Sequence, residues 1–89
     1  MMYTDEFLHS LLDSAGFVTI KTHTPIIVRG FPRSSFVGAV TQVTTASGLV
    51  LAGGGRVRLA LVPRGDDTVD IAVDNIKKVK IHEHIDQNG

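Results

Sequence analysis

The most regular pattern in the chain is the alternation of apolar and polar residues that begins at Arg56 and ends at Asp74. Successive side chains of a strand point to opposite faces, so the alternation predicts a β-hairpin with residues 63–67 as its loop. In that register the apolar positions form three facing pairs: Leu61 with Val69, Leu59 with Ile71, and Val57 with Val73. The other face would pair Arg56 with Asp74 and Ala60 with Asp70, with Arg58 diagonal to both aspartates. One face is therefore expected to join a core, and the other to meet solvent or a partner.

A helical repeat precedes this hairpin. Apolar residues recur at helical spacing, with Thr4 as a candidate N-cap and Gly16 as a terminator: Phe7, Leu8, Leu11, Leu12 and Ala15. The spacing predicts an amphipathic helix of about three turns over residues 4–15.

From Phe17 onward the residues are those of strands and turns. Strands are expected at residues 17–22, 25–29, 35–45, 49–51 and 76–82, besides the hairpin, with a loop at residues 30–34. Gly38 inside a strand predicts a sharp bend or a close backbone approach. The glycines at 53–55 suit a barrel corner, because no helix follows them as a phosphate-binding loop would require. One helix followed by five or six short antiparallel strands indicates an SH3-like barrel.

The distribution of charge is more informative than its sum. The chain has 89 residues, no cysteine and a formal net charge of zero. Between Ser14 and Gly65 it has no acidic residue, and its basic residues there are Lys21, Arg29, Arg33, Arg56, Arg58 and Arg64. This segregation would give the protein a basic surface, although acids are also scarce in strands generally. Without a signal peptide or a membrane-length apolar run, a cytoplasmic protein is expected.

The spacing of glycine and apolar residues resembles that of the Sm-like (LSm) family. Gly38, Val40 and Val43 match its first motif, residues 49–51 match the strand that follows, and the second motif is matched by Ile71, Asn75, Ile76 and Val79. Thr44, Ser47 and Gly48 stand where the family has Asp, Met and Asn, and Ala72 and Val73 replace its Arg-Gly pair. The chain also resembles the small Sm-like proteins of marine phage sequences. The resemblance implies a mainly β fold in a single domain: an N-terminal helix, a five-stranded, strongly bent antiparallel barrel over residues 17–82, and a frayed tail at 83–89.

The same resemblance implies a homo-oligomeric ring that binds nucleic acid. Family subunits pair the fourth strand of one with the fifth of the next, here residues 68–74 and 76–82. Nucleic acid meets the loops at residues 44–48 and 74–78. The expected function is low-specificity binding of single-stranded RNA or DNA, with RNA favoured and a role in RNA processing or regulation. The expected phosphate contacts are Arg33, Lys77 and Lys78, and the expected polar contacts are Thr44, Thr45, Ser47 and Asn75.

Alternatives remain for each of these assignments. The lysines would also suit an ordinary solvated strand face, and Asn75 is a favoured turn residue. The same ring could act as a structural or scaffolding module, for instance in a phage, without nucleic acid. We expect no enzymatic activity, because no nucleophile and base occur in a recognisable arrangement. Neither a cofactor nor a metal is expected, since His82 and His84 supply only two ligands.

Overall fold

A computed structural model of the chain describes residues 4–13, 16–44, 55–62 and 66–82. Its helices are the α-helix α1 (Asp5–Ser10) and two 3-10 helices, Leu11–Asp13 and Val73–Asn75. Its strands are β1 (Phe17–Val28), β2 (Phe31–Thr44), β3 (Arg56–Leu61), β4 (Thr68–Ala72) and β5 (Ile76–His82). The prediction of a mainly β protein with one short N-terminal helix is therefore confirmed. The predicted strand at 49–51 and the tail at 83–89 lie outside the described residues.

The N-terminal helix begins where the sequence predicts. The hydroxyl of Thr4 accepts a hydrogen bond from the backbone N–H of Phe7 at 3.1 Å, which caps the first turn. The regular helix is shorter than predicted, because it tightens into the 3-10 helix from Leu11 onward. Leu8 and Leu11 are both 1% exposed, so packing fixes this short element. Among the described residues, no helix is long and apolar enough to cross a membrane.

All five strands belong to one antiparallel sheet in the order β4-β3-β2-β1-β5. The strand that comes last along the chain therefore pairs with the first, and β4 and β5 form the two edges. One face of the sheet is apolar and forms the core, to which α1 adds Leu8 and the 3-10 helix after it adds Leu11. The buried side chains are Leu8, Leu11, Val18, Ile20, Phe36, Val40, Val57, Leu59, Leu61, Val69, Ile71 and Ile76.

Gly38 lies where β2 changes partners. Its Cα faces Val18 of β1 on one side and Leu61 of β3 on the other. A Cβ at this position would lie 2.8 Å from the carbonyl carbon of Ala60, closer than real side chains approach backbone. The close approach predicted from a glycine inside a strand is therefore confirmed.

The connection between β1 and β2 corrects the predicted loop at residues 30–34. The turn consists of Arg29 and Gly30, whose φ angles of 51° and 83° are the positive values that a type I′ hairpin turn requires. Phe31 and the residues after it already belong to β2, while the pairing shift between Lys21 and Ile26 lets β1 run on through His23 and Thr24. We call residues 26–33 the hairpin arm. The Arg29 guanidinium donates two hydrogen bonds to the Asp67 carboxylate, at 2.8 and 2.6 Å, which ties the tip of the arm to the β3–β4 connection.

The predicted register of the β3–β4 hairpin is wrong by two residues. Arg56 pairs with Ala72 rather than Asp74, and Arg58 lies directly opposite Asp70. The backbone N–H of Leu61 donates to the carbonyl of Asp67 at 2.8 Å, so Leu61 lies opposite Asp67 rather than Val69. Asp74 leaves the sheet because the chain turns into the 3-10 helix Val73–Asn75 after β4. A shift of two keeps every side chain on its predicted face, which is why Val57, Leu59, Leu61, Val69 and Ile71 are buried as expected.

The close approach at Gly38 predicts a large cost for adding a single methyl group. We expect Gly38→Ala to destabilise the protein by about 1–3 kcal/mol, because the neighbour that must move is backbone. Urea unfolding followed by circular dichroism measures this. Gly30→Asn is the matched control, since Gly30 has open space around it and asparagine tolerates a positive φ. Equal stability of Gly38→Ala and the unchanged protein would contradict the role given to Gly38.

Candidate nucleic-acid interface

A group of lysines lies on the face of β5 and β1 opposite the core. Lys78 of β5 is the direct cross-strand partner of Lys21 of β1, and Lys80 is the partner of Thr19. All three lysines are exposed, and the described strands β1, β2 and β5 contain no acidic residue. We call Lys21, Lys78 and Lys80 the lysine stripe. Like charges directly opposite one another are destabilising, so an anion bound here would remove an existing repulsion.

Lys77 is positioned by an irregularity at the start of β5. Ile76 pairs with Thr22 and Lys78 with Lys21, so Lys77 is an extra residue without a partner in β1. Such a bulge redirects side chains and here leaves two consecutive exposed lysines before Val79 turns back toward the core. Lys77 and Lys78, both predicted contacts, therefore lie together and open to solvent.

Two further side chains continue the lysine stripe toward the end of β5. Phe17 is the cross-strand partner of His82 and is 47% exposed. The Nε2 atom of His82 lies 2.6 Å from the hydroxyl of Thr19, so these two side chains share a hydrogen bond. Among the described residues, no three His, Cys, Asp or Glu side chains converge as a metal site would require. His84 lies outside them.

Asn75 has a structural task inside the chain. Its side-chain oxygen accepts hydrogen bonds from the backbone N–H of Thr24 at 2.9 Å and from the Thr24 hydroxyl at 3.0 Å. Its amide nitrogen donates to the Thr24 carbonyl at 3.2 Å. The alternative of a turn residue thus has direct support, because the amide fastens the 3-10 helix to the bulged part of β1. A base would have to compete with those bonds.

The remaining predicted contacts are dispersed. Arg33 is exposed on the hairpin arm, with its guanidinium carbon 5.3 Å from the centre of the Phe36 ring, an arrangement that covers a core aromatic. Thr44 is exposed at the far end of β2, 44 − 33 = 11 positions along the strand, or roughly 36 Å of chain path. The two residues lie on opposite sides of Gly38, where β2 changes partners. Thr45 and Ser47 lie outside the described residues.

Residues that the sequence interpretation missed lie on the outer face of the sheet. Lys21 was not a predicted contact, because only strand order brings it to Lys78. Arg56 had been paired with Asp74, and the register leaves it without that partner. Alternation alone already placed both side chains on the outward face, and that was the one signal available for them.

Arg58 and Asp70 form the best-defined ion pair on this face. Nε and Nη2 of Arg58 donate to the two carboxylate oxygens of Asp70 at 2.8 and 3.2 Å. These hydrogen bonds hold the pKa of the Asp70 carboxyl below its ordinary value, while partial desolvation opposes the shift. The positive charges of Arg58 and Arg56 lower that pKa further. Both side chains are 47% exposed, so solvent weakens the interaction.

Together the sheet and its charges define a small, mainly β protein with a basic, acid-free face on β1 and β5. Comparisons of the chain with protein-family models, curated proteins and solved structures find no match. The functional assignment therefore rests on geometry and charge.

The Arg58–Asp70 pair predicts a specific pH dependence. Because the Asp70 pKa is lower in the folded than in the unfolded chain, its stabilisation is complete above the unfolded pKa and disappears as pH falls through the folded one. We expect Asp70→Asn to lose more stability at about pH 6 than at about pH 3, a range that brackets carboxyl titration. Urea unfolding at each pH measures the difference between the two proteins. A difference that does not change with pH would contradict the ion pair.

Proposed function

We propose that this protein is a non-enzymatic, Sm-like subunit of a homo-oligomeric ring that binds single-stranded nucleic acid, RNA foremost, with low sequence specificity. Its sheet would be strongly bent into an SH3-like barrel in which the β4 and β5 edges stay open for pairing with other subunits. The observation that carries the proposal is the acid-free lysine stripe, extended by Lys77, beside an unpaired sheet edge.

The charges suit a phosphate backbone better than a particular base. No carboxylate of the described residues pairs with Lys21, Lys77 or Lys78, so each can release a counterion when a phosphate binds. A lysine ammonium is a compact point charge and makes few geometric demands on its ligand. In a ring the stripe would be repeated in every subunit, so weak contacts along one strand would add. Low specificity follows, because Asn75 is already engaged with Thr24.

Phe17 adds a second element that single-strand binders use. It projects on the same face as the lysine stripe and is 47% exposed. A base stacked on an aromatic ring contributes about 1–3 kcal/mol irrespective of its identity. A strand following the lysines would thus meet an aromatic surface at His82 and Phe17.

The edges of the sheet support the ring. Strands β4 and β5 each have one side without a strand partner among the described residues, and free strand edges tend to pair. Pairing β4 of one subunit with β5 of the next is a head-to-tail contact, which closes into a ring when the rotation per subunit allows it. Ile81 fits this arrangement, because it lies in β5 opposite buried Val18 yet is 40% exposed.

Neutralising the centre of the stripe should weaken nucleic-acid binding through charge alone. We expect the double variant Lys21→Gln, Lys78→Gln to bind fluorescent oligo-U more weakly at low salt. The slope of log affinity against log salt should become shallower by about 0.7 for each phosphate that no longer meets a lysine. Fluorescence anisotropy over a salt series measures both quantities.

The matched control is the double variant Lys21→Arg, Lys78→Arg, which keeps both charges and should keep the slope. Binding that is unchanged in the glutamine variant would mean that nucleic acid does not use the stripe. Flat titrations of the unchanged protein with oligo-U, oligo-A and single-stranded DNA at low salt would refute nucleic-acid binding altogether.

The ring makes its own prediction at the β5 edge. We expect light scattering on a size-exclusion column to give a multiple of the chain's mass, and Ile81→Lys to reduce it to the mass of one chain. Burying a lysine in a strand–strand contact is unfavourable, whereas the isolated subunit keeps that side chain at its surface. Ile27→Lys in the hairpin arm, where Ile27 is 64% exposed, is the control and should leave the mass unchanged. A monomeric unchanged protein at micromolar concentration is the result that rules out the ring.

A scaffolding module without nucleic acid is the second candidate. The two free sheet edges favour assembly whether or not the lysines bind anything. A stable ring combined with flat oligonucleotide titrations would decide in its favour.

A further inference from the structure

A shallow pocket of about 140 Å³ lies on the outer face of β2, β3 and β4. Its lining consists of Gln42, Thr44, Arg56, Arg58 and Asp70. The register arranges these side chains in two rows across the three strands. One row is Gln42, Arg58 and Asp70, and the other is Thr44, Arg56 and Ala72.

In the first row the two charged side chains, Arg58 and Asp70, bind each other. Arg58 uses the N–H of Nε and one N–H of Nη2 to hold both oxygens of Asp70, which leaves the two N–H groups of Nη1 and the second N–H of Nη2 for another partner. The bidentate geometry holds the guanidinium in place, so Arg58 has a defined position in the lining of the pocket.

In the second row the arginine has no charged neighbour. Arg56 lies between Thr44 and Ala72, and neither neighbour carries a charge. Among the described residues no carboxylate forms an ion pair with Arg56. The small side chain of Ala72 leaves space beside the guanidinium, where the predicted partner Asp74 would otherwise have stood. Two arginines against one aspartate leave the pocket with one net positive charge, 2 − 1 = +1.

We propose that Arg56, with Thr44 and Gln42, forms a binding site for a single phosphate group, on a free mononucleotide or at the end of a strand. The site does not depend on the proposed function. It lies on β2 and β3, and its three residues belong to neither β1 nor β5, the strands that carry the lysine stripe.

The donor set favours phosphate among anions. A planar carboxylate is satisfied by one arginine fork, as Asp70 is by Arg58. A phosphate has oxygens on several sides. It can accept from the Arg56 fork, the Thr44 hydroxyl, the Gln42 amide and the free Nη1 of Arg58 at once. The volume suits one such group, because pockets for whole small molecules begin at about 300 Å³.

Amide NMR titration tests the site directly. With inorganic phosphate and with uridine monophosphate we expect saturable shifts of the Gln42, Thr44 and Ala72 signals. Arg56→Gln should weaken this binding about tenfold or more, because charge-assisted hydrogen bonds contribute at least one decade of affinity. Arg56→Lys should restore part of it, since the charge returns without the fork. Arg29→Gln, which removes one arginine at the tip of the hairpin arm, is the control and should leave the phosphate affinity unchanged.

Ala72→Glu provides a second variant that removes no donor. Its carboxylate would stand opposite Arg56, occupy the second row and abolish the phosphate-dependent shifts, while circular dichroism should report the same fold. Oligo-U with and without a 5′-phosphate distinguishes the sources. Larger pocket shifts with the phosphorylated strand assign the site to strand ends. No pocket shift with either strand, beside saturable shifts with uridine monophosphate, assigns it to mononucleotides, and equal pocket shifts with both strands would contradict a site for a single phosphate group.

Three results would overturn the proposal. One is the lack of any saturable shift with inorganic phosphate or with uridine monophosphate. Another is a set of shifts that survives undiminished in Arg56→Gln and in Ala72→Glu. The third is a set of shifts that maps to Lys21 and Lys78 instead of the pocket.

Discussion

The rest of the structure depends on the contact between the backbones of β2 and β3 at Gly38. Strand β2 must leave one partner and reach the next at that point, and the space there excludes even a Cβ. Because Val18 and Leu61 lie on either side of it, the apolar faces of β1 and β3 converge on one core around Phe36. The outward faces are then divided into two regions. One carries the lysines of β5 and β1, and the other carries the arginines of β3.

The division shows how a chain of zero net charge can carry local regions of positive charge. Its acids are not spread evenly over the sheet: Asp70 is paired with Arg58, and Asp67 with Arg29. The pairing of these acids neutralises two arginines and leaves Arg56 and the lysines of β5 and β1 without carboxylate partners among the described residues. A phosphate interacts with the excess of positive charge within about one Debye length, because charges farther away are screened. The two regions would suit different ligands. A lysine ammonium is a compact point charge, whereas an arginine guanidinium is planar and binds oxygens in a bidentate geometry.

The sequence predicted which face of the sheet each side chain occupies, but it did not predict which residues pair across the strands. Alternation in β3 and β4 identified the buried side chains, because a period of two survives any even shift of register. It could not fix the register itself, because registers that differ by two residues satisfy the same pattern. The pattern also does not determine the order of the strands in the sheet, so it could not predict the pairing of Lys21 with Lys78. The turn at Arg29 and Gly30 was missed because only a positive φ at an arginine makes so short a connection. Asn75 was ambiguous in principle, since the same amide suits a turn and a base edge.

The pairing of β1 with β5 joins residues that are far apart along the chain, since Phe17 meets His82 across 82 − 17 = 65 positions. Every other pairing in the sheet joins strands that are consecutive in sequence. Contacts of such separation carry the largest loop-closure entropy and tend to form late in folding. The lysine stripe and the β5 edge therefore depend on the same late-forming contact. A chain that lacks β5 would have neither surface, so both features require the first and last described strands to have met.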